Sequence, residues 1–156
     1  MRITLLLATL LTAMAAQAQV TKLLMYCDYY TPGNLNDIYI DVYVDYDSST
    51  KTFSNVEAGI VKSETDKYPD YLWSLTTSYT AESATATVTI EKDLDYLAFD
   101  LPAVPTKEAT PTFAIPTDAA GVVTDFNVQV TGVLNGASLN ETFLCYDPTT
   151  KEQQEK

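Results

Sequence analysis

The chain has 156 residues, with 21 acidic against nine basic side chains and no histidine. A formal charge of −12 makes nucleic acid and anionic membrane poor partners, because like charges repel at the encounter step. Without histidine, the commonest general base and metal ligand is missing, which excludes Ser-His-Asp and Cys-His sites.

Residues 1–18 carry one early charge at Arg2, an apolar run from Ile3 to Leu11, and small residues ending in Ala16-Gln17-Ala18. This is the layout of a secretory signal peptide, with cleavage expected after Ala18. The run is shorter than the roughly 20 apolar residues that a membrane-spanning helix needs. No second stretch of spanning length follows, so the expectation is a secreted protein without membrane insertion. The mature chain would keep 138 of the 156 residues, a size that suits one domain. Arg2 leaves with the signal peptide, so eight lysines then face 21 acids and the net charge becomes −13. No arginine is left to clamp a phosphate or carboxylate in bidentate fashion.

Cys27 and Cys145 are the only cysteines, one near each end of the mature chain. In an oxidising compartment they are expected to form a single disulfide joining the terminal strands. A reactive thiolate would normally require a basic partner such as histidine.

The stretch Asn36–Asp47, NDIYIDVYVDYD, alternates like a strand with one buried face. Ile38, Ile40, Val42, Val44 and Tyr46 form the inward set, and Tyr39, Asp41, Tyr43 and Asp45 the outward one. Asp47-Ser48-Ser49-Thr50-Lys51 reads as a turn, since short polar side chains satisfy the backbone locally. A returning strand from Thr52 to Val61 completes a hairpin. Tyr68-Pro69-Asp70-Tyr71-Leu72-Trp73 follows as a proline-stiffened loop that brings three aromatics together.

Ala84–Glu91 alternates threonine with Ala, Val and Ile. The segment Asp93–Leu101 is two-valued: Leu94, Leu97, Ala98 and Leu101 have helical spacing behind a capping Asp93, whereas Leu97, Phe99 and Leu101 fit a strand. Its short length and its neighbours favour the strand. Pro102–Pro116 holds four prolines, which predicts a long surface loop or an extended segment hugging a sheet edge. Asp125–Thr131 is another strand, with Phe126, Val128 and Val130 inward. Asn135-Gly136 is a strong hairpin signal, and a last strand runs to Tyr146. Asn140-Glu141-Thr142 is an N-glycosylation sequon placed at the start of that strand, to be used only on a eukaryotic secretory route. Residues 147–156 have no apolar side chain besides proline and read as a disordered tail.

The pattern predicts an all-β fold, an antiparallel β-sandwich or barrel of about seven to eight strands. It forms one domain over residues 19–146, after the signal peptide at 1–18 and before the tail at 147–156.

Carboxylate chemistry, lysine chemistry or no chemistry is what survives of the catalytic repertoire. At about 3.3 Å rise per residue, Asp37 and Asp41 stand roughly 13 Å apart and only Asp45 and Asp47, at roughly 7 Å, meet the separation of a glycosidase pair. Calcium ligands must converge on one ion at about 2.3 to 2.6 Å, which acids spread along one strand cannot do, so no metal site and no cofactor are expected. The eleven tyrosines point elsewhere, because Tyr and Trp supply contact area at low entropic cost. The residues expected to bind are Tyr39, Asp41, Tyr43, Asp45, Tyr68, Tyr71 and Trp73, with no catalytic residue assigned. The function read from the sequence is therefore a non-enzymatic secreted binding protein of the effector or allergen kind, meeting a protein or glycan surface or a cationic ligand outside the cell. The alternatives are a carboxylate-dependent extracellular glycoside hydrolase and a structural envelope or matrix component.

Overall fold

A computed structural model describes residues 19–29, 38–61, 74–79 and 83–150. They form nine antiparallel strands: β1 (Val20–Tyr29), β2 (Ile38–Asp47), β3 (Thr52–Val61), β4 (Ser74–Tyr79), β5 (Thr85–Lys92), β6 (Asp95–Val104), β7 (Thr112–Phe113), β8 (Phe126–Leu134) and β9 (Ala137–Tyr146). The sheet order is β4-β5-β6-β7-β3-β2-β1-β9-β8, and β8 pairs back onto β6. Seven strands, β6-β7-β3-β2-β1-β9-β8, thus close into a barrel, and β4 and β5 extend it as two extra strands. The expectation of an all-β sandwich or barrel resolves into the barrel.

Period-two alternation fills the interior. Met25 and Cys27 from β1, Ile40, Val42 and Val44 from β2, Leu97, Phe99 and Leu101 from β6, Val128 and Val130 from β8, and Phe143 and Cys145 from β9 are all buried. In a barrel of this size inward side chains pack into a solid core. The outward positions of β5 and β8 are Thr85, Thr87 and Thr89, and Asn127, Gln129 and Thr131, the polar side of the alternation. No helix among the described residues is long and apolar enough to cross a membrane.

Local chemistry explains the turns. Asp47 Oδ1 accepts from the Ser49 and Thr50 amides at 2.8 and 3.3 Å, closing the β2–β3 hairpin. Asn135 and Gly136 take φ of 52° and 76°, as the two-residue turn between β8 and β9 requires. Between β5 and β6 the turn falls on Asp93-Leu94, with Asp93 at φ 57° and Leu94 91 % exposed. Segment 93–101 is therefore a turn entering a strand, and Leu94 does not share a face with Leu97.

The barrel closes at β6. Its Tyr96–Phe99 stretch pairs with β8 and its Ala103–Val104 stretch with β7. Pro102 lies between these two pairings and within β6, where its carbonyl accepts from the Ala114 amide at 2.7 Å. The proline-rich segment thus contributes Pro102–Val104 to β6 and Thr112–Phe113 as β7, with residues 105–110 linking them over the surface. Gly132 of β8 pairs with Leu97, and a Cβ at this glycine would stand 2.0 Å from the Tyr96 carbonyl oxygen. The seam closes at that point only because no side chain is present.

Cys27 and Cys145 are directly opposite one another on β1 and β9, buried and joined as a disulfide, as expected. Of the predicted tail, residues 148–150 are helical behind Asp147, whose carboxylate accepts from the Thr149 amide at 2.8 Å. Residues 1–18 and 151–156 lie outside the described residues.

Candidate functional site: the tyrosine and aspartate face

The disulfide sets the registry of the face opposite the core. With Cys27 paired to Cys145, Tyr26 stands beside Tyr146 and Asp28 beside Leu144. On the other side of β1, Tyr26 pairs with Asp41 and Asp28 with Tyr39. Asp41 in turn pairs with Gly59 of β3. One row across four strands therefore reads Tyr146, Tyr26, Asp41, Gly59, and the row beside it places Asp28 next to Tyr39. All alternate with core residues, so they lie on the outer side of the barrel wall.

Within this face Tyr26 and Tyr146 meet edge to face, ring centroids 6.2 Å apart at 79°. The Tyr146 hydroxyl donates to Asp28 Oδ2 at 2.8 Å. Burial, together with that bond to a carboxylate, raises the Tyr146 phenol above its ordinary range. Asp41 is 8 % exposed, the buried charged residue among those described. Burial alone pushes its carboxyl up to about 6. Neither a hydrogen bond nor an ion pair to that carboxylate is found among the described residues.

The remaining acids are occupied separately. Asp45 Oδ2 accepts from Asn55 Nδ2 at 3.0 Å across a bulge in β3, where the register passes from Tyr43–Glu57 to Asp45–Ser54. Asn55 adopts φ 49° there, a conformation that asparagine tolerates. Asp47 belongs to its turn, and the Ser49 hydroxyl and amide hold its carboxyl below the usual range. Glu57 forms an ion pair with Lys22 of β1, which raises the lysine pKa. Asp45 and Asp47 thus face different donors and do not converge on one point. Among the described residues no group of three or more acids or cysteines is arranged to hold a metal ion.

Of the predicted binding residues, Tyr39, Asp41, Tyr43 and Asp45 alternate on β2 as expected. Tyr39, Tyr43 and Asp45 are half-buried and Asp41 is buried, so this face is more enclosed than bare alternation implied. Tyr68, Tyr71 and Trp73 lie outside the described residues. Tyr26, Asp28 and Tyr146 belong to the face and were not assigned to it from sequence. Asn140 is exposed, three residues into β9 and not at its start, and its Oδ1 accepts from Gln129 Nε2 at 2.7 Å. An open cleft of about 210 Å3 lies elsewhere, lined by Asn55, Val56, Thr77, Thr110, Pro111 and Phe113, and contains no charged side chain. Comparison of the chain with family models, curated proteins and solved structures finds no match in any of the three.

Proposed function

We propose that this is a small secreted, non-enzymatic binding protein of the effector or allergen kind. Its Tyr/Asp face on β1, β2 and β9 meets a protein or glycan surface outside the cell. The observation that carries this reading is the concentration of Tyr26, Tyr39, Tyr43 and Tyr146 with Asp28 and Asp41 on one outer face. Tyrosines with acids between them make a recognition surface of large area, polar tips and low entropic cost. The barrel interior is filled by side chains, which favours contact through the wall over a ligand held inside. The buried disulfide is compatible with an oxidising compartment, and residues 1–18 supply the export signal. A glycoside hydrolase needs two carboxyls about 5 to 9.5 Å apart and facing one bond. The separate engagements of Asp45, Asp47 and Glu57 give that reading no support.

The test is capture of partners from extracellular material by the immobilised mature protein and by a Tyr39→Ala/Tyr43→Ala variant. Loss of a specific partner with the variant, its fold intact by circular dichroism, supports the face. Identical capture by both proteins removes it.

A further inference from the structure

A buried carboxylate without a counter-charge is an unusual thing for a fold to keep. Buried polar groups are nearly always hydrogen-bonded, and buried charges paired, because the charged form is penalised away from water. Asp41 is 8 % exposed, its pKa is raised by burial, and neither an ion pair nor a hydrogen bond offsets this among the described residues. Its surroundings select what would compensate it. Tyr39 and Tyr43 lie two positions away on the same face of β2, and Tyr26 is directly opposite on β1, in edge contact with Tyr146 of β9. On the β3 side the opposing residue is Gly59, which offers no side chain. The other acids nearby are engaged: Asp28 accepts from Tyr146, Asp45 accepts from Asn55, and Glu57 further along β3 is neutralised by Lys22.

We propose that Asp41 and the tyrosines around it receive an organic ammonium group, the side chain of a lysine on the binding partner. Aromatic faces attract such a cation through the ring quadrupole, and the attraction strengthens when water is excluded. The Asp41 carboxylate among them adds the opposite charge in a low-dielectric setting. A metal ion fits less well, since it would require several converging oxygen ligands and no such group occurs among the described residues. The −13 charge of the mature chain, eight lysines against 21 acids, draws a basic partner surface towards this face at long range. The inference rests on the binding face proposed above and names the group it recognises.

The probe is Nα-acetyl-lysine amide, with Nα-acetyl-glutamine amide as the uncharged control, titrated into 15N-labelled mature protein near neutral pH. Saturable shifts of β1, β2 and β9 amides around Tyr26 and Asp41 are expected with the lysine compound alone. They should weaken about tenfold or more in Asp41→Asn, which keeps the shape and removes the charge. Equal shifts with both compounds, no saturable shift, or an unchanged affinity in Asp41→Asn would overturn the proposal. The two readings fail separately. A partner that Tyr39→Ala/Tyr43→Ala loses and Asp41→Asn captures undiminished leaves the face standing and removes the cation.

Discussion

Asp41→Asn is expected to stabilise the protein at neutral and alkaline pH and to leave it unchanged in acid. An unfolded aspartate titrates near pH 3.9, whereas burial pushes the folded carboxyl up to about 6. Between these values the folded state holds a proton that the unfolded state has released. Stability from this group is therefore full below about pH 4, falls as pH rises through the window, and is flat above about 6. A shift of about two units at ~1.36 kcal/mol each gives a loss on the order of 3 kcal/mol. Asparagine resembles the neutral carboxyl in shape and carries no charge at any pH, so it avoids the loss. Urea unfolding of both proteins between about pH 4 and pH 8 measures the difference directly, and subtraction cancels the titration of the other acids, which is common to both. The stability difference should be near zero at the acid end and on the order of 2 to 3 kcal/mol in favour of the variant at the other. For a domain of this size that is about 10 °C in Tm. A difference that does not vary with pH, or a variant that is less stable throughout, would show that the carboxylate is hydrated or paired in solution and refute the argument.

Three further outcomes test the fold. Gly132→Ala places a Cβ against the Tyr96 carbonyl oxygen, at 2.0 Å before relaxation, and should cost about 3 kcal/mol or more in urea unfolding; a change under about 1 kcal/mol contradicts the tight seam between β6 and β8. Replacing Cys27 and Cys145 together by alanine releases a sequence separation of 118 residues and should lower stability by about 4 to 5 kcal/mol in the chain-entropy model, read as the shift in urea midpoint. Leu94→Ser should fall within about ±0.5 kcal/mol, while Leu97→Ser, in the core, should cost several-fold more; equal effects would favour the helical spacing of segment 93–101.

Much of the fold was legible because alternation, turn chemistry and two cysteines constrain a chain locally. The hairpin of β2 and β3 follows from NDIYIDVYVDYD, its Asx-type turn and the returning strand, and β8–β9 from Asn135-Gly136. The seam of the barrel was not legible in this way. β6 meets β7 and β8 at different points along its length, a long-range pairing that no window of sequence encodes. The signal that did exist was Gly132, an isolated glycine inside a strand pattern, which marks a close backbone approach. On the candidate face, β2 showed its own Tyr39, Asp41 and Tyr43, but a period of two cannot show what packs above a face. The burial of Asp41 was therefore invisible. The proximity of Tyr26 to Tyr146 was within reach: once Cys27 is set opposite Cys145 on antiparallel strands, the residue before one cysteine must face the residue after the other.

The central claim is that the outer face of β2 encloses an uncompensated acid and is unlike plain solvated sheet. The most direct measurement is a pH titration of the Asp41 side-chain carboxyl by 13C NMR. The structure predicts a midpoint of about 6, well above that of an ordinary exposed aspartate. A midpoint at or below about 4 would mean an acid open to water or already paired, and the account of this face would not stand.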